Sequence, residues 1–255
     1  MPRLARTAAA AALALLGGLP AAGQGLDLGA RIERDGEGGR MTMAMPDGGA
    51  ALERPIGEEL TFAPWEMLDE LARDDVVLLM RHGKTDWSKR DASDVAPGDC
   101  DNQRVMTEDG KREMFELGAL LAANDLTPGH IVVSDWCRNQ QTLAAMREGI
   151  RAADPDAPDD MPVETMSELN LLLALQGAPD VAAMRDYISA WDGGAGEGPL
   201  LVISHFTNIQ ELTQQSVFEG QMLLLDPDQS NRVLGTLLLG SAGPDVGHFQ
   251  DEVDR

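Results

Sequence analysis

Basic residues are scarce in this chain. Twenty Lys and Arg stand against 43 Asp and Glu, giving a formal net charge of −23, and only Lys84, Lys89 and Lys111 are lysines. Such acidity argues against nucleic acid and against anionic membrane surfaces, since binding to either rests on basic patches. It fits a solvated, salt-tolerant surface. Cysteine is scarcer still, with Cys100 and Cys137 alone. Two cysteines without nearby histidines make a poor zinc site. One disulfide and two buried thiols both remain open on spacing alone. No internal repeat occurs, and no Pro/Ser-rich linker separates two patterned halves, so the 255 residues read as one α/β domain.

The first residues read as an address rather than as fold. Arg3 and Arg6 form a basic region before the apolar run AAAAALALLGGLP, and Ala21 and Gly23 offer small residues at the −3 and −1 positions of a cleavage site. This pattern predicts a secretory signal peptide over 1–23, too short and too poorly flanked for a spanning helix. No cysteine follows the run, so neither a lipoprotein anchor nor a stable membrane anchor after cleavage is indicated. Loss of two arginines and no acid takes the mature charge from −23 to −25. A periplasmic or secreted location follows, and with it an oxidising compartment that favours a disulfide.

Residues 24–60 are rich in Gly, Met and acids with weak periodicity, and predict a weakly structured arm with a short hairpin around Asp47-Gly48. The domain proper is expected over 61–255. Pro64 opens a helix carrying Trp65, Leu68 and Leu71 on one face. Strands are expected at Val76–Met80, Ile131–Ser134, Met161–Met166 and Leu200–Ser204. Two more, Gln221–Leu225 and Arg232–Leu239, flank an Asp-Pro-Asp turn. Helices fall between them: one N-capped by Thr107, one bearing Leu143, Met146 and Ile150, one over Asp180–Trp191, and one from about Thr207. Strands alternating with helices predict a three-layer α/β/α sandwich with a mostly parallel central sheet.

Candidate chemistry gathers at strand ends. The run VVLLM ends in Arg81-His82-Gly83, the second strand in Ser134 followed by Asp135-Trp136-Cys137-Arg138, and the fourth in Ser204-His205. In open α/β sheets ligands bind at the carboxyl edge of the strands. Arginine offers a planar cationic fork for phosphate, histidine a nucleophile or acid/base, and glycine close backbone approach. For Arg-His-Gly alone, a charged turn is the better reading. Two of the four histidines reaching one sheet edge are harder to dismiss, and a surface ion-pair network is the competing account.

RHGKT (81–85), MTEDG (106–110), SDWCRNQQT (134–142) and ISHFTNI (203–209) stand in the order and approximate spacing of the histidine phosphatase superfamily. The chain resembles that superfamily from roughly Trp65 to Leu239, and its phosphoglycerate-mutase-like branch implies the same fold. Within it, DCDNQR and Trp-Cys-Arg resemble small exported bacterial members, including those acting on lipopolysaccharide sugar phosphates. The resemblance implies a phosphohistidine on His82, with Arg81, Arg138 and a cationic His205 holding the transferred phosphoryl group. Thr85 and Arg104 add contacts, and neither metal nor cofactor is needed. The substrate is then a phosphorylated small molecule or a glycan or lipid phosphate.

Some members of the family place an aspartate after the second histidine, where this chain has Phe206. Others carry a glutamate after the third strand, which Met166-Ser167-Glu168 resembles. Glu168 is therefore the expected proton donor and Glu164 the fallback. If neither serves, phosphoamidates or acyl phosphates become the better substrates, and a non-catalytic phospho-ligand-binding domain is the third reading. Export disfavours a phosphoglycerate mutase. Cys137 beside Arg138 and Cys100 in the loop after His82 are expected to form a disulfide that ties this loop to the site. Trp87 and Trp136 flank the motifs as candidates for cleft wall or core.

Overall fold

The run Val76–Met80 is apolar throughout because it is covered from both sides. In a computed structural model describing residues 30–43, 56–155, 157, 161–194, 198–245 and 247–248, it forms most of the strand Val77–Arg81, buried along its whole length. Its side chains alternate. Leu78 and Met80 enter a core shared with Leu117, Leu121, Met146 and Ile150, whereas Val77 and Leu79 enter a second core with Met184, Ile188 and Ile209. Each fully buried aliphatic side chain contributes roughly 1.5–3 kcal/mol relative to exposure.

Nine strands make one sheet: β1 (Ala30–Asp35), β2 (Gly38–Met43), β3 (Leu60–Ala63), β4 (Val77–Arg81), β5 (His130–Val133), β6 (Val163–Thr165), β7 (Leu200–Ser204), β8 (Met222–Asp226) and β9 (Arg232–Leu239). Their order is β1-β2-β3-β9-β8-β4-β7-β5-β6. Helices α1 (Leu68–Leu71), α2 (Glu108–Ala123), α3 (Cys137–Ala153), α4 (Ala182–Ser189) and α5 (Phe206–Thr213) complete the fold. The residues of α2 and α3 belong to the first core and those of α4 and α5 to the second, which puts helices on both faces. As expected, Thr107 caps α2, its Oγ1 accepting from the Gly110 N–H at 2.9 Å.

The sheet is mixed, not mostly parallel. Only β4–β7, β7–β5 and β5–β6 run parallel, and the other five neighbouring pairs are antiparallel. Two causes are local. The turn at Asp226–Gln229 is too short for a crossover, so β8 and β9 pair as a hairpin. The segment expected to be weakly structured also contributes strands: β1 and β2 form a hairpin that pairs, through β3, with β9. Met41 and Met43 of β2 are buried, so this hairpin has an apolar face to cover. The region Asp47-Gly48 and the signal-peptide stretch lie outside the described residues. The helix expected from Pro64 shortens to a 3₁₀ turn at Trp65–Met67 followed by α1. Among the described residues, no helix is long and apolar enough to cross a membrane.

Candidate active site

Register brings the candidate residues together. In β4 and β7, Arg81 pairs with Ser204 and Met80 with Ile203, while Val133 of β5 pairs with Ile203. The three parallel strands therefore end level, and His82, Ser134 and His205 step off the same edge. Gly83 has a packing reason for being glycine, since a Cβ there would stand 2.6 Å from the Met114 Cγ. Its N–H donates to Thr142 Oγ1 (2.9 Å), and that hydroxyl donates to the Arg138 carbonyl (2.7 Å), joining the RHG turn to α3.

A cleft of about 630 Å³ opens at this edge, lined by Arg81, His82, Arg104, Arg138 and His205, with Trp87, Lys89, Arg90, Asp91, Leu171, Leu173, Phe206 and His248 among the other walls. Five cationic side chains, Arg81, Lys89, Arg90, Arg104 and Arg138, on one cleft of a chain with net charge −23 give the local positive focus that an anion needs. His82 Nδ1 lies 3.0 Å from the Gly83 carbonyl, to which only an N–H can donate. The proton therefore sits on Nδ1, and Nε2 carries the lone pair.

His205 has the opposite tautomer. The Asp135 N–H donates to Asn170 Oδ1 (3.0 Å) and Asn170 Nδ2 donates to Asp135 Oδ2 (3.2 Å), which orients the amide. Ser134 Oγ must then donate to Asn170 Oδ1 (2.7 Å), and so accepts from His205 Nε2 at 3.1 Å. This leaves His205 Nδ1 buried and without a hydrogen-bond partner.

Burial, followed by the Arg138 and Arg81 charges, pushes both imidazoles well below their usual value. His82 is thus held neutral, as a nucleophile requires. His205, expected to be cationic, is also neutral until an anion offsets the guanidinium charges. Burial lowers Arg138 to about 10, still charged at neutral pH. Arg81 donates through Nη1 to the Val217 carbonyl and Asp245 Oδ2 (2.8 Å each), leaving Nε and Nη2 without hydrogen-bond partners. Arg138 Nη1 is held by Asp91 (3.1 and 3.2 Å), leaving Nε without a hydrogen-bond partner, and Arg104 Nη1 also lacks one.

Other expected residues fall elsewhere. Thr85 does not line the cleft. Its hydroxyl donates to Glu219 Oε1 at 2.5 Å, so it supports that carboxylate. Glu168 sits in a 3₁₀ turn with its carboxylate accepting from its neighbour Ser167, and the exposed Glu164 accepts from Tyr187 Oη at 3.0 Å. Neither is among the described residues lining the cleft. Trp87 lines it, with the Arg104 guanidinium stacked 3.5 Å from its ring, whereas Trp136 is fully buried beneath Arg138. Cys100 and Cys137 are disulfide-bonded, with Cα atoms 5.6 Å apart.

Reading strand ends missed Glu219, Asp245, His248 and Asp91. Glu219 lies within 4.0 Å of Arg81, His82 and Arg104. It precedes β8, an antiparallel strand that begins rather than ends at this edge, while Asp245 and His248 follow β9, which ends there. Only Asp91 had a signal, as an acid in the loop between RHG and Arg104. Among the described residues, no group of three or more His, Cys, Asp and Glu is placed to hold a metal ion.

The model of the histidine phosphatase superfamily (branch 1) matches residues 77–170, from β4 to Asn170, a stretch that holds Arg81, His82, Arg104 and Arg138. Over these 94 of its 255 residues the chain is similar to the histidine phosphatase superfamily. Among solved structures, it is similar to the protein histidine phosphatase SixA in complex with tungstate, with 20% identity and a TM-score of 0.46 over 63% of this chain and 93% of that one. A putative phosphohistidine phosphatase SixA from Agrobacterium tumefaciens shows 20% identity and a TM-score of 0.41 over 60% and 91%. A mycobacterial glucosyl-3-phosphoglycerate phosphatase shows 16% and 0.40 over 63% and 96%. A search of curated proteins returns no match.

Proposed function

We propose that this chain is an exported phosphomonoesterase acting through a phosphohistidine at Nε2 of His82. The observation that carries the reading is the pairing of a neutral imidazole, tautomer fixed by the Gly83 carbonyl, with polar atoms of Arg81, Arg104, Arg138 and His205 that lack hydrogen-bond partners, all from residues lining one cleft. His82 Nε2 attacks phosphorus in line. The P–N bond forms as the bond to the leaving oxygen breaks, and that oxygen takes up a proton. Water then attacks phosphorus, the P–N bond breaks, and phosphate leaves as His82 returns to neutral. Dividing one difficult substitution into two is what covalent catalysis supplies. Guanidinium donors set in advance around the equatorial oxygens stabilise the charge that develops there, and loss of one such donor costs about 10²–10³ in rate.

His205 completes the cradle. Once a phosphate dianion enters, its imidazole gains a proton on Nδ1 and donates, with Ser134 already accepting from Nε2. The cleft suits the phosphate of a small molecule or of a glycan or lipid, and the apolar Leu171 and Leu173 on its wall accommodate a non-polar portion. Export and a periplasmic or secreted location rest on the N-terminal pattern Arg3 to Gly23.

One observation favours a second reading, a phosphoamidate or acyl-phosphate hydrolase. Asp91 is the one carboxylate among the described lining residues, and it is already engaged by Arg138 and the Arg104 N–H. The deciding experiment assays the mature protein on phosphoester and phosphoamidate panels, beside His82→Ala, with trapping of labelled phosphohistidine. Label on His82 and loss of turnover in the variant are expected. Full activity of His82→Ala would overturn the mechanism. Faster hydrolysis of phosphoamidates than of matched esters would favour the second reading.

A further inference from the structure

The proposed mechanism needs a proton for the leaving oxygen, and the carboxylates expected to give it are not on the cleft. The segment after β9 brings another group there. Asp245 anchors this segment: its Oδ2 accepts from Arg81 Nη1 (2.8 Å), and its Oδ1 accepts from the N–H groups of Gly247 and His248 (3.0 and 3.1 Å). Held this way, the His248 ring lies flat on Phe206, with centroids 4.0 Å apart and planes at 11°, and meets Trp87 edge-on at 5.6 Å. Phe206 also carries the Arg81 guanidinium 5.2 Å from its ring and follows His205 directly in the chain.

We infer that His248 is the general acid of the first step and the general base of the second. The inference rests on the phosphatase reading above. Three observations support it. His248 lines the same cleft as His82. Packing against Phe206 and Trp87 orients its ring, while among the described residues neither ring nitrogen has a hydrogen-bond partner. The other acid groups near the phosphate are engaged: Glu219 by Thr85, Trp87 and the guanidinium groups of Arg81 and Arg104, Asp245 by Arg81, and Asp91 by Arg138.

The proton balance closes. Imidazolium His248 gives its proton to the leaving oxygen as the P–O bond breaks, and the neutral ring then accepts one from the attacking water as the P–N bond breaks. Burial and the Arg81 and Arg104 charges lower the His248 basicity, and Asp245 opposes them. A dianionic phosphate on Arg81 and Arg104 removes much of that opposition, so the ring takes up its proton together with substrate.

The test is leaving-group dependence in the full chain. Positioned proton transfer is worth about 10²–10⁴-fold. His248→Gln should lose activity in this range on an alkyl phosphate, whose leaving group needs the proton, and far less on 2,4-dinitrophenyl phosphate, whose leaving group does not. The slope of log kcat/KM against leaving-group pKa should steepen. Equal losses on both substrates would assign His248 a packing role and overturn the inference, as would an unchanged alkyl-phosphate rate. Phe206→Leu, which removes the stacking platform but leaves the imidazole, should steepen the slope partway, and an unchanged slope would count against the inference. Trapping phosphohistidine from dinitrophenyl phosphate in the parent protein tests the underlying reading separately, since that step needs no acid.

Discussion

Replacing Ser134 by alanine deletes one oxygen in a fully buried position, and its effect can be worked through. Ser134 Oγ donates to Asn170 Oδ1 at 2.7 Å and accepts from His205 Nε2 at 3.1 Å. Without it, the Nε2–H has no partner, and both residues are within 1% of complete burial. An unsatisfied buried donor costs about 1–3 kcal/mol. The ring can relieve this by moving its proton to Nδ1, which then points a donor into a cleft already crowded with guanidinium groups. On phosphate binding, the imidazolium again leaves Nε2–H unpaired, so the penalty falls on the bound state. At RT of about 0.59 kcal/mol, affinity for inorganic phosphate should drop roughly 5- to 150-fold, with kcat/KM falling alongside. Isothermal titration with inorganic phosphate measures the first and initial rates the second. Asn170→Ala, which frees the serine hydroxyl to turn, should show a smaller loss of the same sign. A folded Ser134→Ala protein binding phosphate within twofold of the parent would refute the tautomer argument.

Two further outcomes follow. The Cys100–Cys137 bond closes a 37-residue separation that includes Arg104, and such cross-links stabilise by about 2–4 kcal/mol. At about 2–4 °C per kcal/mol for a domain of this size, the double serine variant should melt roughly 5–15 °C lower and lose KM more than kcat; equal melting temperatures would refute the constraint. His82 and His205 have lowered basicity in the fold, so below the unfolded value of about 6.5 the unfolded chain binds more protons and stability falls with falling pH. Each contributes a slope of at most about 1.4 kcal/mol per pH unit, so His205→Asn should flatten the decline between pH 6.5 and 5, measured by urea unfolding. An unchanged decline would contradict the burial argument.

Much of this molecule was legible in the chain. An apolar run bounded by charge, such as Val76–Met80, has few ways to satisfy its backbone except as a buried strand. Thr107 before an acidic first turn has one obvious use, as a cap. The motifs carrying Arg81, His82, Arg138 and His205 picked out residues that meet on one cleft, because parallel strands present their carboxyl ends at a single edge whatever the order of the sheet. The hairpin Ala30–Met43 was less legible, since its β1 residues are exposed and its pattern is correspondingly weak.

Residues outside this rule were settled only by tertiary structure. Antiparallel pairing makes β8 begin and β9 end where the parallel strands end, so His248 reaches the cleft, and Glu219 and Asp245 reach its arginines, from positions without a motif. Thr85 and Glu168, each next to or within a matching motif, turn elsewhere because side-chain direction depends on partners such as Glu219 and Ser167 rather than on spacing. The protonation states belong to the same class. Local sequence names an imidazole, but only burial and the surrounding guanidinium charges decide that His82 and His205 are neutral, and only the Ser134–Asn170 pair decides which nitrogen of His205 faces the cleft.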